Sequence, residues 1–170
     1  PIPKQVISTD GKILFSEGQV QLGQEAWLSA GGQQLGSVWG HGSYVAPDWS
    51  ADWLHREALA LRAIWAQQEF GKNFLQLSLG QQAELDAKLK NEMRLNSYDS
   101  KSGNIILSPA RAQAVAQVVE HYVGLFGDDP KLDKLREQYA MTSGALRDPR
   151  DLQALPAFMF WSAWSAATDR

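Results

Sequence analysis

The sequence predicts one mainly α-helical domain with two small β-hairpins. Apolar residues recur at intervals of three and four in five or six separate stretches, the spacing of helices that bury one face. Three of these stretches follow a capping residue and a proline, as at Ser108-Pro109, which is a strong helix start. Two short apolar runs beside turn residues predict the hairpins. At 170 residues and 44% hydrophobic content, the chain has the size and composition of one globular domain.

The first 47 residues predict a hairpin, a helix and a loop. The two strands of the hairpin flank Asp10-Gly11, a pair that favours tight turns. A helix is expected from about Ser16 to Gly31-Gly32, because glycine commonly ends helices. Five glycines lie between positions 31 and 42, so residues 31–47 are predicted to form a shaped loop whose backbone approaches another group closely.

Five further helix starts are predicted in the rest of the chain. The helix that follows the loop is expected to end at about Phe70, before Gly71, and a second hairpin is expected over residues 95–107. A glutamine three residues after Ser78 fits a capping box. The predicted starts are Asp48 or Ser50, Ser78, Ser108-Pro109, Asp129-Pro130 and Asp148-Pro149.

The domain organisation is predicted to be simple. Residues 1–170 form a single domain, with residues 1–15 as an N-terminal hairpin extension and residues 157–170 as an aromatic segment. Both hairpins are expected to be additions to the helical core. The chain opens at Pro1 without a methionine, which indicates a segment of a longer protein whose targeting signals can have been removed.

Composition excludes several classes of function. The 16 basic and 19 acidic residues give a formal charge of −3, whereas a nucleic-acid module needs a basic footprint. The sequence contains no run of about 18 uncharged apolar residues, so no membrane-spanning helix is predicted. The absence of cysteine rules out disulfides, thiolate zinc sites, cysteine nucleophiles and covalent attachment of a c-type haem.

The three histidines do not form a recognisable catalytic or metal-binding pattern in the sequence. His41 lies in the glycine-rich loop, and His55 lies one helical turn after Asp52, so a carboxylate–imidazole contact with a structural role is expected there. A catalytic zinc normally takes three protein ligands, and this arrangement supplies two at most. His121 stands beside Glu120 and is expected to be solvated. The sequence has neither a nucleophile elbow nor a phosphate-binding loop.

The aromatic segment near the end of the chain has two interpretations. Phe158, Phe160, Trp161 and Trp164 crowd into seven residues. They fit a helix buried in the core, or a helix at an interface with a membrane or another protein, because tryptophan favours such boundaries. The segment is too short to span a bilayer.

Two longer stretches carry a family resemblance. Residues 36–57 read GSVWGHGSYVAPDWSADWLHRE, and residues 160–170 read FWSAWSAATDR. Both closely resemble quinol-dependent nitric oxide reductases, the single-chain members of the haem–copper oxidase superfamily, and the segment 95–109 is similar as well. The resemblance covers nearly the whole chain, and a motif of more than twenty residues is far more specific than any short pattern above.

The resemblance implies a cytochrome-c-like fold without haem. In this family the stretch is an extracytoplasmic domain inserted after the first transmembrane helix, and it is similar to the cytochrome c subunit of related reductases. Gly32 and Leu35 stand where that subunit has its two attachment cysteines, and Gly36 stands where it has its ligating histidine. An empty haem cavity would be costly, so we expect bulky side chains to fill it.

The resemblance also implies a contact with the membrane part of the same polypeptide. Related loops help to hold a calcium ion through two backbone carbonyls, at the positions of Gly42 and Tyr44, and His41 replaces an acidic residue there. The alternative is a loop that makes hydrogen bonds alone. His41, His55 and Arg56 are the residues expected to contact the membrane part.

The implied function is that of a structural cap. The whole enzyme is expected to reduce two NO to N2O and water with electrons from quinol, using haem b, haem b3 and a non-haem iron in the membrane part. The expected location is the periplasmic side of the bacterial inner membrane. Two alternatives remain: a stand-alone binding or sensor module with an open, degenerate haem pocket, and a metal-dependent hydrolase built on His41, His55 and an acid.

Overall fold

The computed structural model describes residues 1–30 and 47–170. These residues contain six α-helices and a four-stranded sheet. This agrees with the predicted fold class of a mainly helical domain. Two 3-10 helices, Phe74–Gln76 and Pro130–Leu132, lie between the larger elements. The strands are β1 Val6–Ser8, β2 Ile13–Phe15, β3 Tyr98–Asp99 and β4 Asn104–Leu107, and the helices are α1 Gln19–Ser29, α2 Trp49–Phe70, α3 Leu79–Arg94, α4 Pro109–Phe126, α5 Asp133–Gln138 and α6 Pro149–Ala167.

Local capping chemistry sets most helix ends where the sequence predicts them. The Asp48 carboxylate accepts a hydrogen bond from the Ser50 amide at the start of α2, and Gly71 ends that helix in a left-handed conformation with φ 65°. Ser78 and Gln81 form the predicted capping box of α3. Each such bond satisfies an amide that the helix leaves without an internal partner. The start of α4 at Ser108-Pro109 is confirmed in the same way.

Two helix predictions are wrong in their bounds. Helix α1 begins at Gln19 rather than near Ser16, because Gly18 directly before it adopts a left-handed conformation with φ 86°. The Asp129-Pro130 start produces a single 3-10 turn and then only the six residues of α5. The predicted end of α1 at Gly31-Gly32 lies outside the described residues.

The two predicted hairpins form, and they are joined in one sheet. Strands β1 and β2 pair antiparallel, as do β3 and β4, and a parallel pairing of β1 with β4 joins them in the order β2-β1-β4-β3. Val6 and Phe15 from the first hairpin and Ile105 and Leu107 from the second are all buried in the main core. The hairpins thus add to the helical core, whereas the parallel pairing that joins them was not predicted.

The main core lies between the sheet and helices α1, α2, α4 and α6. Helices α1 and α6 approach closely at Gly23, where an added Cβ atom would stand 2.2 Å from the carbonyl oxygen of Ala154. Only a residue without a side chain permits that approach. A second apolar cluster joins α2, α3 and α4 around Leu61, Trp65 and Leu85.

The aromatic segment belongs to the core rather than to an exposed face. It forms the second half of α6, in which Phe158, Phe160 and Trp164 are buried. The interpretation as a core helix is therefore confirmed. Within residues 1–30 and 47–170, no helix combines the length and the apolar character that crossing a bilayer requires.

Candidate functional site at the start of helix α2

Large aromatic rings fill the interior beside the first turns of α2. Trp49 and Trp53 are completely buried, and Trp53 stacks on Tyr122 of α4 with ring centroids 5.3 Å apart and planes 9° apart. Trp49 lies edge-on to Tyr122 at 6.1 Å and to Tyr139 at 5.6 Å. Offset and edge-on contacts at these distances favour aromatic pairs beyond their buried area. We call these rings, together with Phe126 and Phe160, the ring cluster.

A polar group caps the ring cluster on the side of α2. The Tyr122 hydroxyl donates a hydrogen bond to the Asp52 carboxylate, which also accepts one from Arg56 at 3.0 Å. The contact predicted between Asp52 and His55 is wrong, because the His55 side chain is exposed and the Asp52 carboxylate turns to Tyr122 and Arg56 instead. Burial raises the pKa of Tyr122, and the neighbouring Asp52 charge raises it further, so the phenol stays protonated.

A buried ion pair lies on the next turn of α2, and sequence reasoning missed it. Glu57 and Arg111 are each 1% exposed, with 2.9 Å between Oε2 and Nε. Glu57 also accepts a hydrogen bond from the Trp53 indole at 3.1 Å, and Arg111 donates to the Glu92 carbonyl. A signal was present: Glu57 lies four residues from both Trp53 and Leu61, on the buried face of the helix.

The described residues bring together only part of the predicted site. Arg56 is half-buried against Asp52, and His55 lies on the same helix with its side chain exposed. Residues 1–30 and 47–170 contain no group of three or more histidine, aspartate or glutamate side chains placed to hold a metal ion. The remaining predicted positions, namely Gly32, Leu35, Gly36, His41, Gly42 and Tyr44, lie outside the described residues.

A family model matches nearly the whole chain. Residues 3–170 match the model of the NorB cytochrome c-like domain of nitric oxide reductase. The chain belongs to this family. A search of curated proteins found no significant match.

A c-type haem does not fit this cytochrome c-like domain. The chain has no cysteine for thioether bonds, and the space between α2, α4 and α6 is occupied by the ring cluster, whose two indoles are fully buried. Four of the hollows lined by described residues have volumes of about 250–350 Å³ and open to solvent. Among the described residues, the interior of this nitric oxide reductase domain between α2, α4 and α6 is packed with the side chains of the ring cluster.

The His121 side chain is partly buried, whereas the sequence predicts that it is solvated. It stacks edge-on against Tyr122 at 5.0 Å, and its Nε2 atom is buried without a hydrogen-bond partner among the described residues. Burial lowers the pKa of His121 to about 4, and the nearby Arg56 charge lowers it further. The imidazole is therefore neutral at pH 7.

The lowered pKa of His121 predicts that the domain loses stability in acid. The folded state holds His121 with a pKa of about 4, whereas the unfolded chain has the ordinary value of 6.5. Between these values the unfolded chain binds more protons, so stability falls as the pH drops from 6.5 towards 4. Because the imidazole is partly exposed, we expect the loss to stay within about 2 kcal/mol.

Urea unfolding at several pH values measures this loss. His121→Gln is expected to flatten the pH dependence in that window, and the exposed His55→Gln is the matched control that leaves it unchanged. Equal pH profiles for wild type and His121→Gln would contradict the assignment.

Proposed function

We propose that this chain is the haem-free extracytoplasmic domain of a quinol-dependent nitric oxide reductase, and that it caps a membrane part carrying haem b, haem b3 and a non-haem iron. The match to the NorB family model supports the enzyme class. In this proposal the whole enzyme reduces two NO to N2O and water, the domain lies on the periplasmic side of the bacterial inner membrane, and the chain itself holds no catalytic residue.

The absence of cysteine carries the proposal. To accept electrons from a soluble donor protein, a domain needs a redox centre near its own surface. A cytochrome c domain provides one as a covalently held haem. This chain has no cysteine, and its interior is filled by the ring cluster. A donor that dissolves in the membrane, such as quinol, needs no relay through this domain. The same filling argues against the sensor module, which requires an open apolar pocket.

The start of α2 is the proposed contact with the membrane part. His55 is exposed, Arg56 is held in place by Asp52, and both lie about two turns into α2, the helix that follows the glycine-rich loop. His41 and a calcium ion on the backbone carbonyls of Gly42 and Tyr44 remain part of this proposal. Arg56 keeps its charge at every physiological pH, so it suits a carboxylate such as a haem propionate.

Donor specificity of the whole enzyme tests the proposal. The purified enzyme is expected to turn over NO with a reduced quinol and to give no turnover above background with reduced cytochrome c, because no haem in this domain receives those electrons. NO consumption measured with an electrode reports both rates. A rate with cytochrome c equal to the quinol rate would overturn the proposal.

A further inference from the structure

The ring cluster contains two oxidisable rings whose acidic hydrogens are both hydrogen-bonded to carboxylates. The Tyr122 hydroxyl donates to Asp52, and the Trp53 indole N–H donates to Glu57 at 3.1 Å. The two rings stack face to face, 5.3 Å apart. A phenol or indole that loses an electron becomes a strong acid, so a neighbouring base is what allows the loss. Burial alone calls for a hydrogen-bond acceptor at each ring, but it does not require that acceptor to be a carboxylate.

The same rings connect the interior to the surface. Tyr139 is only partly buried, and it contacts Trp49 with ring centroids 5.6 Å apart. Trp49 in turn contacts Tyr122 at 6.1 Å. Each step joins rings in van der Waals contact, across which a single electron passes readily. The order from the surface inwards is Tyr139, Trp49, Tyr122 and Trp53.

We propose that the ring cluster is a one-electron relay that draws oxidising equivalents from the protein surface and holds them on Tyr122. An oxidant of the nitrogen dioxide class accepts one electron at Tyr139 and becomes its anion. The electron is replaced through Trp49 from Tyr122, whose O–H bond breaks and whose proton passes to Asp52. The products are a neutral tyrosyl radical and a protonated carboxyl group. A hydroquinone that gives one electron to the radical lets the proton return from Asp52 to the phenol oxygen, which restores the phenol and the carboxylate. The hydroquinone becomes a semiquinone and releases its own proton to solvent.

The positive charge of Arg56 affects how easily Tyr122 is oxidised. Asp52 also pairs with Arg56, whose side chain is 30% exposed. The oxidised state has one more positive charge than the resting state, and the Arg56 guanidinium repels it. Arg56 therefore opposes oxidation of Tyr122, and removing its charge should increase the radical yield. A purely structural role of these residues predicts no such increase.

Electron paramagnetic resonance of the whole enzyme tests the relay. The air-oxidised enzyme, with its haem irons already ferric, is exposed to photogenerated tris(bipyridine)ruthenium(III), which is too large to enter the interior, and is then frozen. We expect a tyrosyl signal in wild type and in Tyr98→Phe, since Tyr98 of β3 lies outside the ring cluster. Tyr122→Phe keeps the stacked ring but removes the O–H, and it should abolish that signal.

Two further variants separate a relay from simple packing. Asp52→Asn keeps a hydrogen-bond acceptor but removes the base, and should lower the yield about tenfold or more. Arg56→Gln should raise the yield. A signal in Tyr122→Phe equal to that of wild type would overturn the proposal, as would an unchanged or lower yield in Arg56→Gln. The proposal does not depend on the electron donor of the enzyme, so turnover with cytochrome c would leave it standing.

Discussion

Replacing Glu57 by glutamine is expected to destabilise the chain by about 3–5 kcal/mol, because the change leaves the Arg111 guanidinium buried without its counter-charge. Both side chains are 1% exposed, so water cannot replace the lost partner. Glutamine has nearly the volume of glutamate, which separates the effect of charge from that of packing. Urea unfolding followed by circular dichroism measures the difference.

Two controls show whether the charge is the cause. The double variant Glu57→Leu/Arg111→Met removes both charges and should recover most of the loss, although the Trp53 indole then lacks its acceptor. Lys88→Met breaks the exposed pair with Glu69 and should cost within about 1 kcal/mol. If Glu57→Gln cost no more than Lys88→Met, the account of the buried pair would be wrong.

Replacing Gly23 by valine is expected to cost about 3 kcal/mol or more, because α1 and α6 would have to separate. The new Cβ atom would lie 2.2 Å from the Ala154 carbonyl oxygen and 2.9 Å from the Phe158 Cβ atom. The first of these atoms belongs to the backbone of a helix and cannot turn aside. For a chain of this length, the melting temperature should fall by about 6–12 °C.

Gly80 provides the matched control for Gly23. It also lies in a helix, near the start of α3, and a Cβ atom added there meets no atom within 4 Å. Gly80→Ala should leave stability unchanged or raise it by up to about 1 kcal/mol through helix propensity. A Gly23→Val variant as stable as wild type would show that the two helices do not cross as closely as described.

Features that depend on neighbouring residues could be predicted from the sequence. The cap at Ser108, the capping box at Ser78 and the hairpin turn at Asp10-Gly11 all involve residues within a few positions of one another. The parallel pairing of β1 with β4 could not be predicted in this way. It joins Val6 to Ile105 across most of the chain, and short strands contain no signal that selects such a partner.

In the candidate site too, the features that involve nearby residues could be predicted from the sequence, and the contacts between distant residues could not. Its α2 residues lie inside the motif that carries the resemblance, and the sequence predicts the helix that holds them. Their partners could not be predicted: the Asp52 carboxylate meets Tyr122 seventy residues later, and Glu57 meets Arg111 after fifty-four. The shorter-range pairing of Asp52 with His55 was predicted instead, because helix spacing permits it equally well.

A haem titration of this chain tests the central claim, which is that side chains occupy the space a porphyrin would need. Increasing haemin is added to the purified chain, and the Soret absorbance and tryptophan fluorescence are recorded together. The account predicts no saturable Soret change, and no quenching of the buried Trp49 and Trp53 beyond that of free tryptophan at equal absorbance. Stoichiometric binding of one haemin per chain, with quenching of the buried tryptophans, would contradict it.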